Sequence, residues 1–355
     1  MTTITRTPPR PDSSHDSIQP IVHITEHGRL HVGDALATLK TLESGSVDSC
    51  VTSPPYFSLR NYGHDHQIGL EAHIQEWVDS ILSVTDELHR VLVPTGTLWL
   101  NLGDTYSAHP KQGAPYKSLM LAPERIASAM IKRGWVLRNK IAWVKTNPMP
   151  SSTPDRLTAS HEVIYVFAKQ SRGYYFDLDS IRIPPKNSAA KPRASPPKSL
   201  KGRESWRGPN ADTTTGLAAM KQRGITAHPL GKNPTDAWLM ASSTSQGTHH
   251  ATFPKDLATR CITAATPVLR CGDCRAPYTR KLIRHQNGTV TREPYAPTCA
   301  HNDANAEPGI VLDPFIGSGT TAVVAEGIGR RWEGIELNAQ FALEALARIT
   351  NERKT

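Results

Sequence analysis

Val51-Thr52-Ser53-Pro54-Pro55-Tyr56 closes a β-prone run that begins at Val47. Two successive prolines cannot continue a sheet ladder, so they hold Ser53 and the following aromatic in a stiff, extended turn. That turn is expected to aim Tyr56 outward. It offers a hydroxyl, prolyl-linked carbonyls and a ring face, a set suited to gripping and stacking a flat base through its exocyclic amine. Taken alone, Pro-Pro-Tyr is equally at home in an ordinary loop. A second stretch changes its reading: Asp313-Pro314-Phe315-Ile316-Gly317-Ser318-Gly319-Thr320-Thr321. Ile310-Val311-Leu312 before it is a compact apolar strand, and Gly317 and Gly319 turn that strand into a helix. Glycines there let the backbone approach a ligand, and the helix N-terminus favours an anionic group. After a helix through Glu326, the strand 332–335 ends in Glu336, a carboxylate placed for the hydroxyls of a ribose.

Ser53-Pro54-Pro55-Tyr56 resembles the catalytic motif of the DNA amino-methyltransferases, and residues 313–321 resemble their S-adenosylmethionine loop. The amine-gripping motif precedes the cofactor loop, a circular permutation of the usual methyltransferase order that matches the β-type members of that family. The resemblance covers roughly residues 30–168 and the chain from His250 to the C-terminal helix. It implies a Rossmann-like α/β fold with a mixed sheet, and methyl transfer from S-adenosylmethionine to a base flipped out of DNA. Ser53, Pro54, Pro55 and Tyr56 would hold the target. Asp313, Phe315, Gly317, Gly319 and Thr320 would meet the methionine end of the cofactor and Glu336 its ribose. Phe253, in His250-Ala251-Thr252-Phe253-Pro254-Lys255-Asp256-Leu257, would hold the methionine portion or serve as simple core. Asp34, just past a strand end, is either a cofactor contact or a helix cap. Serine heads the motif in cytosine-N4 enzymes and aspartate in adenine-N6 enzymes, so family habit favours cytosine-N4, with adenine-N6 the alternative. A non-catalytic DNA-binding protein on a methyltransferase scaffold is the reading from another class; intact Ser53, Tyr56, Gly317, Gly319 and Glu336 speak against it.

Composition agrees with a nucleic-acid partner. The 355 residues carry 41 Lys plus Arg against 32 Asp plus Glu, a net charge of +9 that attracts polyanions such as double-stranded DNA. Residues 1–20 read as a disordered tail with no signal-peptide pattern, and no run is long enough to span a bilayer. The expectation is a cytoplasmic bacterial or phage-encoded protein with no membrane partner, and with room for a cognate restriction endonuclease acting separately.

Along the chain, short strands at 21–24 and 30–32 precede a helix at 35–42, and Ile74, Trp77, Val78, Ile81, Leu82, Leu88, Val91 and Leu92 recur at helical spacing up to Pro94 and Gly96. A strand at 98–102, a helix at 123–133 and an antiparallel hairpin of 135–145 with 162–169 follow. The alternation predicts a mostly parallel sheet covered by helices on both faces. Residues 57–63 form a loop long enough to act as a lid, and Arg60 within it is a DNA-contact candidate. The hairpin loop holds Asn147, Ser151 and Arg156 among three prolines, a preorganised polar surface for a phosphate backbone or an extruded base. Residues 21–183 therefore read as the catalytic part, 184–249 as a basic recognition insert or flexible segment, and 250–355 as the cofactor-binding part. In the insert Lys198, Lys201, Arg203 and Arg207 surround Trp206, cations for phosphates beside an aromatic. Cys271-Gly272-Asp273-Cys274 and Cys299-Ala300-His301 bracket a small ribbon at 268–303 with the spacing of a structural zinc site, His285 being an alternative fourth ligand. Cys50 and Cys261 have no such partners and are expected to pack.

Overall fold

A computed structural model of the protein describes residues 21–64, 67–184, 228, 230–243, 253–284, 290–301 and 305–353. The N-terminal tail, Lys198, Lys201, Arg203, Trp206, Arg207 and His285 lie outside the described residues. Nine strands build the central sheet: β1 Ile21–Ile24, β2 Gly28–Val32, β3 Val47–Thr52, β4 Leu92–Leu102, β5 Val136–Lys145, β6 His161–Ala168, β7 Ala237–Met240, β8 Ile310–Asp313 and β9 Arg331–Glu336. Their order across the sheet is β1-β2-β9-β8-β3-β4-β6-β5-β7. β2, β9, β8, β3 and β4 run parallel; β6 is antiparallel to both β4 and β5, β7 pairs parallel with β5, and β1 pairs antiparallel with β2.

Strand residues alternate between two cores, as the period of two requires. Cys50, Leu98, Leu100 and Leu312 face the helices α1 Ala35–Thr41, α2 Ile74–Val91 and α3 Ala122–Lys132. Val51, Trp99, Val311 and Trp332 face α4 Lys255–Ala265, α5 Thr320–Gly327 and α6 Ala339–Glu352. Cys50 and Cys261 are buried, one in each core. Trp332 is accommodated because its neighbour across the ladder is Gly28, where an added Cβ would fall 2.4 Å from the indole ring. Among the described residues no helix is long and apolar enough to cross a membrane.

Two local expectations are corrected. α2 does end at Val91, but Pro94 and Gly96 lie inside β4, which starts at once at Leu92. The register to β3 shifts between Val47 and Ser49, so Pro94 falls in a bulge where its missing N–H breaks no ladder. The polar segment 184–249 is not wholly an insert, because Ala237–Met240 returns to the sheet as its edge strand. Only Trp238 of that strand is buried, stacked 6.4 Å from Trp99, which leaves no alternating pattern to read.

The ribbon consists of short antiparallel pairs, Arg270–Cys271 with Ala306–Glu307, Tyr278–Thr279 with Ala296–Pro297, and Leu282–Arg284 with Val290–Arg292. Arg270 ties it to the sheet. Its buried guanidinium donates to the Ser46 carbonyl at 2.8 Å, meets Asp48 at 3.1 Å and Glu307 at 2.7 Å, while Asp48 also accepts the Ile310 N–H at 2.7 Å. Burial pushes the Asp48 carboxyl up to about 6, and Arg270 opposes that rise. An Arg270→Met substitution strands a buried carboxylate and is expected to cost about 3–5 kcal/mol of unfolding free energy. A folded-state pKa above the unfolded one makes Asp48 favour folding at low pH and loses that contribution as pH rises through about 6. Without the cation the rise is larger, so chemical denaturation should show a greater loss at pH 8 than at pH 5.

Candidate active site at the carboxyl edge of the sheet

The five parallel strands end along one edge. β8 continues through α5 to β9 on one side, whereas β3 continues through α2 to β4 on the other, and a cleft opens where these directions diverge. Ser53, Pro55, Asp34, Phe315, Gly317 and Glu336 line it, together with Tyr62, His64, Gln67 and Ile68 from the loop after β3 and Phe341 from α6. Of the loop 57–63, Tyr62 lines the cleft.

Asp313 does not reach that cleft. It is buried, with Oδ1 accepting from Thr52 Oγ1 at 2.6 Å and the Phe315 N–H at 3.1 Å, and Oδ2 accepting from Thr321 Oγ1 at 2.6 Å. Burial raises its pKa to about 6, against the pull of those donors. Beyond it, Gly317 and Gly319 adopt φ of +51° and +80°, where a side chain is strained. The Gly317 N–H donates to Glu336 Oε2 at 3.0 Å, and the Asn338 N–H to Oε1 at 3.0 Å. Glu336 thus fixes the loop while lining the cleft, and burial raises its pKa. Gly319 caps α5 and faces Ala345 and Ile349. Thr320 and Phe253 line a separate opening with Arg348, which donates to the Ser318 carbonyl at 3.0 Å and Thr320 Oγ1 at 3.1 Å. Phe253 also packs against the second core, so the structure does not bring it to the main cleft. Asp34 caps α1, its Oδ1 accepting the Ala37 N–H at 2.8 Å, and it also borders the cleft.

On the other wall, Tyr56 is turned inward. Its hydroxyl donates to Glu162 Oε2 at 2.7 Å, and its ring lies on Gly103, where an added Cβ would come within 2.5 Å. Tethering to Glu162 overrides the outward aim expected from the prolines. Pro54 is buried, and among the described residues no donor reaches its carbonyl, whereas the Pro55 carbonyl accepts from Trp77 Nε1 at 3.0 Å. Three residues absent from the sequence reading complete this wall. Asn101 Nδ2 contacts Glu162 Oε2 and the Tyr56 hydroxyl, both at 2.8 Å, and Ser53 Oγ at 3.3 Å; Lys145 donates to Glu162 Oε1 at 2.5 Å. Asn101 Oδ1 is buried without a partner. Such an orphaned acceptor costs about 1–3 kcal/mol, a penalty more typical of working sites than of cores. The one available sequence signal was an asparagine inside the apolar run 98–102.

Of the proposed DNA contacts, Asn147 accepts the Ser242 N–H at 2.7 Å and so ties the hairpin loop to the segment after β7, whereas Ser151 donates to Thr153 at 3.1 Å within its own loop. Arg156 is exposed, its guanidinium 3.5 Å from the centre of the Tyr106 ring. Arg60 is half-buried. In the ribbon, the ligand atoms of Cys271, Cys274, Cys299 and His301 all lie within 4.8 Å of one another. Backbone N–H groups of Cys274 and Asp273 help draw the Cys271 thiol down to about 7.

A family model described as DNA methylase matches residues 47–347. The chain is 30% identical to the type II methyltransferase M.Cfr9I of Citrobacter freundii, across 91% of this chain and 88% of that protein. It is 31% identical to the type II methyltransferase M.SmaI of Serratia marcescens, across 92% and 91% respectively. Its fold is similar to that of the PvuII DNA methyltransferase, described as cytosine-N4-specific, with a TM-score of 0.55 at 19% identity, covering 93% of this chain and 92% of the other. With Ser53 and the glycine loop meeting in one cleft through a permuted mixed sheet, and with relatives aligned over nearly its whole length, the chain belongs to the N6/N4 DNA methylase family, as a type II DNA methyltransferase.

Proposed function

We propose that the protein methylates the N4 amine of cytosine in a short sequence of double-stranded DNA, using S-adenosylmethionine, and so marks DNA against a restriction endonuclease that acts separately. The observation that carries this reading is the shared cleft, in which Ser53 borders the same space as Glu336, Phe315 and Gly317. The residues present fit the cofactor. Glu336 keeps lone pairs beyond its two backbone donors for ribose hydroxyls, and Phe315, Ile335 and Phe341 offer apolar walls for an adenine. When bound, S-adenosylmethionine supplies an electrophilic methyl group. The chain itself binds, orients and excludes water. An exocyclic amine is a weak nucleophile because its lone pair is delocalised into the ring, so the Ser53 oxygen and the Pro54 carbonyl accept its hydrogens and turn that lone pair toward the cofactor side. Tyr56, packed on Gly103 and bonded to both Glu162 and Ser53, steadies the Ser53 turn. Serine at the head of the motif and the cytosine-N4 description of the PvuII enzyme favour cytosine over adenine. The Cys271, Cys274, Cys299 and His301 cluster is read as a structural zinc site, since four protein ligands close a tetrahedron and leave no position for water.

Nucleoside analysis of DNA treated with the protein and S-adenosylmethionine should yield 4-methylcytosine; 6-methyladenine would reverse the base assignment. Glu336→Ala removes a charged acceptor and is expected to weaken S-adenosylmethionine binding by about 1.5–3 kcal/mol in calorimetry. Replacing Cys271 and Cys274 together with Ser should abolish one bound zinc per chain in metal analysis and lower the melting temperature. A zinc-free wild-type protein would rule out the metal site.

A further inference from the structure

The target wall carries a circuit of hydrogen bonds whose proton positions follow from counting donors. Glu162 is ion-paired with Lys145 at 2.5 Å and only accepts. Its 2.7 Å contact with Tyr56 therefore uses the single phenolic proton. The Tyr56 oxygen has no proton left for its 3.1 Å contact with Ser53 Oγ, so Ser53 must donate there. Asn101 Nδ2 points its two hydrogens into the same circuit, with its shorter contacts to Glu162 and Tyr56 and a longer one to Ser53. Turning that amide over would set its oxygen 2.8 Å from the carboxylate, acceptor against acceptor, so the orientation is fixed although Oδ1 is left without a partner.

We infer that Glu162 is a positioning residue that, through Tyr56 and Asn101, commits the Ser53 hydroxyl to face the cleft as an acceptor only. The inference rests on the proposed role of Ser53 in gripping the target amine. A freely rotating serine can serve a carbonyl as well as an amine. Committed as an acceptor, it fits the amino group of cytosine or adenine and meets the keto oxygen of thymine or guanine acceptor to acceptor. It also gives no proton to the ring nitrogen beside the amine, so Ser53 reads the amine and not its neighbour. Lys145 holds the far oxygen of Glu162, which keeps the near oxygen for Tyr56 and Asn101.

Single-turnover methylation of duplex DNA at saturating S-adenosylmethionine tests this with Glu162→Gln, Tyr56→Phe, Ser53→Ala and the two pairs that contain Ser53→Ala. Tyr56→Phe keeps the ring and removes only the hydroxyl, which guards against a Glu162 variant that fails to fold. Each of the first two substitutions should slow methyl transfer by about ten- to a hundredfold, with dissociation constants for DNA and S-adenosylmethionine near those of the wild type. On the Ser53→Ala background either should add less than about twofold, because both act through the same hydroxyl. Full rates in both single variants, or multiplicative losses in the pairs, would overturn the inference and leave the proposed function standing. A wild type that methylates neither cytosine nor adenine would overturn both.

Discussion

The carboxylate of Asp313 is the joint on which the cleft depends. It sits at the end of β8 and, through Thr52 and Thr321, holds the last residue of β3 and the first turn of α5 at 2.6 Å each. The target motif begins one residue after Thr52, and the glycine loop lies between Asp313 and Thr321. One buried group therefore sets the distance between two walls that are remote in sequence. A buried carboxylate is costly unless it is hydrogen-bonded, and three donors offset part of that cost here.

The two walls use acidic groups differently. Glu336 accepts one backbone N–H from the glycine turn, at Gly317, and one from Asn338, and it lines the cleft. Glu162 turns its oxygens to side chains and faces a tyrosine, an asparagine and a lysine. The first arrangement fixes the carboxylate against backbone. The second controls the direction of a proton several ångströms away, which a residue with no free rotor can do only through a chain of bonds whose other ends are fixed.

The ribbon stands at the opposite end of β3. Arg270 reaches Ser46 and Asp48, where that strand begins, while Ser53 follows its last residue. Strand β3 is buried along its length, so a disturbance of the ribbon reaches the cleft only by loosening the sheet. That separation is the physical reason to read the cysteine and histidine cluster as structural.

By itself the sequence determined the parallel strand and helix alternation, the turn after β3, the glycine loop after β8 and the carboxylate at the end of β9. Each of these is a local consequence of proline geometry, glycine conformation or periodic burial within a few residues. It also marked the four close ligand atoms of the ribbon through their spacing. Only the tertiary structure decided that Asp313 is an internal tie, that Phe253 stands at another opening, and that Ala237–Met240 closes the sheet edge. It alone brought Glu162 and Lys145 to Ser53, because β6 runs against β4 and so delivers its first residues to the edge where the parallel strands end. Strand direction and neighbour order are properties of the whole sheet, and no window of sequence around Glu162 carries them.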